Sequence, residues 1–314
     1  MNIRDREPSQ KYSDNPTQFS GFRVIEDAIY GFRRLDPIPP EAQISEFYES
    51  RYYDLIRKGN RVPELRRLME GGNVAEEELR WLRDGPYTDI MSILSKVAPG
   101  RRLLEVGCGT GHFLAFANEL GFSCEGTEPS FEAAERAAST GLSVHNMTLE
   151  KFTGRFPSSN FDVVVMMNVL EHVPDAVKTV QLCGQVLGPG GILCIRVPND
   201  FSEMQMAAKE KLCTDSWWIA VPDHINYFNF ESLMHLLDRL GFETICAQGD
   251  FPMEMFHLMG DNYVGNSQVG GACRARRVQF ELGLSVDLRR KIYSALGKVG
   301  VGRNCLVFGK KVLP

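Results

Sequence analysis

Two kinds of residue in the 314-residue sequence stand where chemistry could be done. Gly107-Cys108-Gly109-Thr110-Gly111 is a glycine run that lets a ligand approach bare backbone. A helical pattern follows it, so unpaired N–H groups and the helix dipole would favour a carboxylate or phosphate there. Glu128, followed by Pro129, ends the next strand-like run, where a carboxylate can hold the two hydroxyls of a nucleoside ribose. Histidine is suited to taking a proton near neutral pH. Of the six present, His172 in Asn168-Val169-Leu170-Glu171-His172-Val173 and His224 in Pro222-Asp223-His224-Ile225-Asn226-Tyr227-Phe228 follow strand-like runs, on the edge where open α/β sheets bind ligands. His224 is the stronger candidate base, because Trp217 to Phe230 is aromatic-rich and reads as the wall of an acceptor pocket. His172 reads equally as a helix-start residue that orients its loop. His112, His145, His235 and His257 read as surface or packing residues.

Elements must hold these residues. After Pro99-Gly100, short strand-like runs alternate with helical segments and glycine turns, which predicts βαβ units in a parallel sheet. Strands are expected at Arg102 to Val106, Ser123 to Glu128, Ser143 to Asn146, Phe161 to Met167, Ile192 to Val197, Glu243 to Gln248 and Cys305 to Lys310. Helices are expected near His112 to Leu120, Phe131 to Ser139, Ala176 to Leu187 and Glu231 to Leu240. Upstream, Ile44, Phe47 and Tyr48, then Leu65, Leu68 and Met69, then Leu79 and Leu82, and finally Ile90, Ile93, Leu94 and Val97 recur at helix spacing and predict three or four helices over 41–98. Residues 1–40 end in Asp36-Pro37-Ile38-Pro39-Pro40 and read as an arm.

Composition narrows the classes. With 35 Lys and Arg against 40 Asp and Glu, the net charge of −5 lacks the basic excess of a nucleic-acid binder. No apolar run approaches the ~18 residues of a membrane span. The eight cysteines are dispersed without a CxxC pair and read as reduced core thiols. The opening MNIRDREPSQKYSDNP has neither a secretory apolar stretch nor an Arg-rich amphipathic pattern, which predicts a cytoplasmic protein.

Five ordered motifs carry a resemblance: Leu104 to Gly111, Thr127-Glu128-Pro129, Phe161-Asp162-Val163-Val164, Asn168 to Val173, and Leu187-Gly188-Pro189-Gly190-Gly191. Over about residues 90–248 the chain resembles class I S-adenosylmethionine-dependent methyltransferases. The resemblance implies a doubly wound, mostly parallel, seven-stranded Rossmann-like α/β sheet. It divides the chain into an arm (1–40), a helical cap (41–98), a cofactor-binding core (99–250), an insertion (251–304) and a final core strand (305–314). It implies S-adenosylmethionine as cofactor. Glu105, Gly107, Cys108, Gly109 and Gly111 would hold the methionine moiety, Glu128 and Pro129 would lie at the ribose, and Asn168 would face the methionine part. No acid follows the third strand in His145-Asn146-Met147-Thr148-Leu149-Glu150, which leaves adenine to backbone around Thr148 and Leu149.

The GxGxG spacing speaks against a nicotinamide-dependent oxidoreductase, which needs G-x-G-x-x-G. A catalytically silent cofactor-binding protein is the other rival. Asn168-Val169-Leu170-Glu171 lacks the Asn/Asp-Pro-Pro-aromatic run of amino-group methyltransferases, so a hydroxyl of a small-molecule acceptor is expected. Gly31 to Pro37 and Asp223 to Phe228 resemble segments of bacterial methyltransferases of surface-polysaccharide or nucleotide-sugar pathways, which implies a sugar or nucleotide-sugar acceptor, while an aromatic-lined pocket suits a natural-product scaffold equally. Glu171-His172 is also similar to the E-x-x-E-H run that binds magnesium in ubiquinone O-methyltransferases; with Asn168 at the first acid, no metal is expected. Arg274, Arg276 and Arg277 read as a solvated basic face, or alternatively, with Gly31-Phe32-Arg33-Arg34, as contacts to phosphate. The apolar run Phe251 to Met259 predicts either a lid that closes over the acceptor with residues 199–230 and the N-terminal helices or a homodimer interface.

Overall fold

The structure, a computed structural model, describes residues 21–40, 44 and 63–312. The first half of the expected arm and the helix expected at Phe47 and Tyr48 lie outside them. The elements run β1 (Arg23–Glu26), β2 (Arg33–Asp36), α1 (Pro63–Glu70), α2 (Gly72–Leu82), α3 (Thr88–Val97), β3 (Arg102–Val106), α4 (His112–Glu119), β4 (Ser123–Thr127), α5 (Phe131–Ser139), β5 (Ser143–His145), α6 (Leu149–Arg155) and β6 (Phe161–Met167). They continue as α7 (Ala176–Val186), β7 (Leu187–Pro198), α8 (Glu203–Leu212), β8 (Asn226–Tyr227), α9 (Phe230–Arg239), β9 (Phe242–Gly249), α10 (Glu254–Met259), α11 (Ser267–Gly283), α12 (Val286–Lys298) and β10 (Asn304–Lys311). A kink at Gly85-Pro86 joins α2 to α3.

Seven strands form one sheet in the order β5-β4-β3-β6-β7-β10-β9. Pairing is parallel from β5 through β7, and β10 lies antiparallel between β7 and β9. This is the doubly wound class I methyltransferase arrangement, and the order reverses between β4–β3 and β6. Side chains alternate across the pleat. Leu104, Val106, Val164, Met166, Leu193 and Ile195 face α7 and α9, whereas Leu103, Val163, Val165, Ile192 and Cys194 face α3 and α4. All of these except Val106 are fully buried, each contributing ~1.5–3 kcal/mol of burial for a large side chain. A sheet apolar on both faces needs helices on both, which the βαβ crossovers supply.

The structure departs from the sequence reading in two places. The expected arm carries a hairpin: β1 pairs with β2, and β2 pairs with β8 through Arg33 opposite Tyr227 and Arg34 opposite Asn226. Phe32 and Leu35 are buried in it, with the Phe32 ring 5.0 Å from that of Phe228. That apolar burial outweighs the breaking tendency of the prolines that follow. Leu187, expected to end a helix, and Gly188 to Gly191 after it already belong to β7, expected to begin only at Ile192, with a register shift between Phe161 and Val163 of β6 that accommodates the glycines. No helix among the described residues is long and apolar enough to cross a membrane.

Candidate active site

The glycine loop leaves β3 with Gly107, Gly109 and Gly111 at φ of 69°, 53° and 79°, left-handed conformations that glycine adopts at little cost. Gly107 and Cys108 N–H both donate to Thr127 O (2.8 and 3.0 Å), tying the loop to the end of β4. A Cβ at Gly107 would meet Val169 Cγ2 at 2.6 Å, and one at Gly111 would meet Leu142 Cδ1 at 2.4 Å. The backbone is therefore fixed from behind. Cys108 turns its side chain into the core, where its Sγ fills the space beside Gly126, so only its backbone faces the loop.

Glu128 is 8% exposed; its Oε2 accepts from Gly109 N–H and its Oε1 from Ser130 N–H, each at 2.9 Å. Burial raises its pKa, and these two N–H groups pull it back. Each carboxylate oxygen keeps a second lone pair, which suits a vicinal diol. Pro129 O and Glu128 O both accept from Asn146 Nδ2 (3.0 and 2.9 Å), which fixes the turn after β4. Glu105, 3% exposed at the end of β3, has an Oε2 with no partner. Burial, and secondarily the negative charge of Glu128, push its carboxyl well above the usual carboxylate range. An ammonium would answer that orphan oxygen, and a ribose would answer Glu128, so the residues present fit S-adenosylmethionine. Leu149 opens α6 behind the Thr148 cap and buries its side chain, leaving only backbone for an adenine.

Asn168, the first residue past β6, has φ 57° and accepts from Arg196 Nη1 on β7 at 2.5 Å. Phe201, just past β7, has φ 54°. Both are non-glycine residues held in the left-handed region on the ligand edge of the sheet, where such strain clusters at functional sites.

The structure brings the two candidate bases together. The rings of His172 and His224 meet edge to face with centroids 4.9 Å apart. His172 Nδ1 lies 2.9 Å from Asp223 O and 3.5 Å from Asp223 Oδ1, and its Nε2 lies 3.8 Å from Glu171 Oε1. Asn226, 1% exposed, fastens the two loops: its Nδ2 donates to Leu170 O (3.0 Å) and Val173 O (2.7 Å), while Ile225 and Asn226 N–H both donate to Glu171 O. Glu171 is 1% exposed, and burial raises its pKa against the pull of His172. One ligand atom each from Glu171, His172 and His224 lies within 4.8 Å of the others. A carboxylate and two imidazoles at that spacing could hold a metal ion, a set that counting acids near Asn168 did not foresee.

Other residues differ from the sequence reading. Arg277 is 5% exposed and paired with Asp250 and Glu281 (3.0 Å each), not on a solvated face. Arg289 pairs with Asp89 at 2.8 Å, and Trp81 Nε1 donates to Glu281 at 2.7 Å, so a buried ion pair anchors α12 to α3 and a buried hydrogen bond anchors α11 to α2. Met253, Phe256 and Cys273 form a small core of the insertion itself, so Phe256 packs internally. His257 is completely buried with neither ring nitrogen hydrogen-bonded, unlike the satisfied packing residue expected. His145 pairs with Glu125 at 2.9 Å, as a surface residue does. The sequence carried no sign of Arg196, Asp250 or Asn226, whose partners are distant in the chain.

A family profile described as "Methyltransferase domain" matches residues 79–247, more than half of the chain, so the chain belongs to that family. Its cofactor is S-adenosylmethionine. Ubiquinone biosynthesis O-methyltransferases resemble it: that of Colwellia psychrerythraea is 30% identical over 161 residues, covering 47% of this chain and 63% of the relative. That of Haemophilus ducreyi is 35% identical over 109 residues, covering 32% and 46%. The chain thus spans about half to under two thirds of the length of these curated relatives. Among solved structures, a SAM-dependent methyltransferase from Archaeoglobus fulgidus aligns with TM-score 0.49 at 18% identity, covering 76% of this chain and 98% of that one. Magnesium protoporphyrin IX methyltransferase from Synechocystis, solved with SAM bound, aligns at TM-score 0.44 and 14% identity, covering 66% and 88%.

Proposed function

We propose that the protein transfers a methyl group to a hydroxyl of a polar small-molecule acceptor, with His224 or His172 as general base. The observation that carries the reading is the imidazole pair, His172 from the loop after β6 and His224 from the loop before β8, set beside the buried Glu171 on the same sheet edge as the glycine loop. The cofactor supplies a methyl carbon activated by its sulfonium for in-line displacement, so the chain has to align an acceptor oxygen and remove its proton. Glu128 would hold the ribose, Glu105 and the glycine loop the methionine moiety with Glu105 at its ammonium, and Asn168 would face the methionine side. Asp223 orients His172 through Nδ1, leaving Nε2 toward Glu171. The similarity to O-methyltransferases supports an oxygen nucleophile. Incubation with isotopically labelled S-adenosylmethionine and small-molecule extracts, followed by mass spectrometry, tests the reading. A labelled methyl ether is the expected product. Labelled amine or carbon products, or no transfer with intact cofactor binding, would overturn it.

A further inference from the structure

We propose that the side chains between α8, the loop at Trp217 and Trp218, and α10 form a recognition subsite for a hydroxyl-rich, sugar-like part of the acceptor. The inference rests on the methyl-transfer reading above and names the chemistry of its substrate. Five side chains there are more than nine-tenths buried yet keep polar atoms without a partner: Asp200 Oδ2, Gln205 Oε1, Trp218 Nε1, Glu254 Oε2 and both nitrogens of His257. Native proteins leave few such groups unsatisfied, and each is costly. Their concentration in one neighbourhood, with α8 packed on α10, points to a group that completes them.

Rings link this neighbourhood to the candidate bases. His257 stacks on Tyr263 at 3.8 Å and meets Trp217 at 5.1 Å; Trp217 meets Trp218 at 5.0 Å, Trp218 meets Phe201 at 5.5 Å, and Phe201 meets Tyr227 at 6.0 Å. Tyr227 in turn lies 6.2 Å from His224. Arg33 of the hairpin covers Phe201 at 4.2 Å. The strained Phe201 is therefore clamped between the candidate acceptor wall and the N-terminal hairpin.

The orphan atoms are mixed in kind. Asp200, Gln205 and Glu254 present acceptors, Trp218 a donor, and His257 one of each, since burial lowers its pKa and keeps it neutral. A hydroxyl both donates and accepts, and the C–H faces of a pyranose lie flat on aromatic rings. An apolar tail would strand three polar acceptors, and a lone ammonium would leave Trp218 Nε1–H and the donor nitrogen of His257 unanswered.

Saturation-transfer NMR on the full chain with S-adenosylhomocysteine present tests the subsite, using methyl α-D-glucopyranoside and methyl α-L-rhamnopyranoside as probes, with catechol and butylamine as comparators. At least one glycoside is expected to bind, and Glu254→Gln and His257→Phe are expected to weaken it at least tenfold while cofactor affinity stays unchanged. Both variants are close in shape to the native residues; thermal melts and cofactor titration confirm that each is folded. Binding of only catechol or butylamine, absence of glycoside binding to the native protein, or equal glycoside binding to native and variant chains would overturn the proposal, ordered water then being what satisfies these atoms. Failure of the methyl-transfer reading appears separately, as absence of a labelled methyl ether in the extract assay.

Discussion

Replacing Glu128 perturbs the cofactor pocket from two sides at once. Its two oxygens accept from Gly109 and Ser130 N–H at 2.9 Å each, and in the proposed placement of the cofactor they would also take the ribose hydroxyls. In Glu128→Ala both ribose hydroxyls lose their acceptor. At about 1 kcal/mol for each, the lower end for a partner left unsatisfied, the loss is about 2 kcal/mol, or roughly 30-fold in Kd at about 1.4 kcal/mol per decade. Release of Gly109 loosens the loop that carries the methionine contacts, so 30-fold is a lower expectation. Glu128→Gln is nearly isosteric, but its amide nitrogen must oppose either Gly109 N–H or Ser130 N–H, and it too should bind at least tenfold more weakly. Isothermal titration with S-adenosylhomocysteine measures both, and thermal melts in the absence of ligand separate loop loosening from direct contact. Unchanged affinity in both variants would refute the assignment of Glu128 and the placement of the cofactor over the loop.

Three further outcomes are expected. His224→Ala or His172→Ala should lower kcat by ~10²- to 10⁴-fold at saturating cofactor without altering cofactor affinity; near-normal turnover in both would remove them as bases. Gly107→Ala and Gly111→Ala should destabilise the fold by more than the ~1–2 kcal/mol of a left-handed residue alone, because their Cβ atoms would meet Val169 and Leu142; Gly141→Ala, at φ 85° with nothing within 4 Å, should show only the backbone cost, and equal melting shifts in all three would contradict the packing account. Asp250 is held below its ordinary pKa: burial acts to raise it, but Arg277, Arg196 and the Asn304 hydrogen bonds outweigh burial. Its contribution to stability is therefore present above the unfolded value near pH ~4 and lost as pH falls through the folded one, so Asp250→Asn should flatten the acid limb of melting temperature against pH. An acid limb unchanged in the variant would show that other carboxylates govern it.

The cofactor half of the site was legible because it is local. Val106 to Gly111 and Thr127 to Pro129 each form one strand end and one turn, and the φ values glycine permits are a property of the chain segment itself. β3, β6 and β7 could be read as strands for the same reason, since a short apolar run bounded by turn residues is a property of the segment itself. The acceptor side could not be read in this way. His172 meets His224 only because Asn226 ties its loop to Leu170 and Val173 across more than fifty residues. The hairpin at 23–36 owes its existence to Phe32 meeting Phe228 and to pairing with β8, contacts that no local pattern of prolines and arginines discloses. Whether Arg277 is solvated or paired, and whether His257 is satisfied or orphaned, depends on what other elements place beside it. Residue type sets what a side chain can do, but burial and distant partners set what it does, and both are settled by packing in three dimensions.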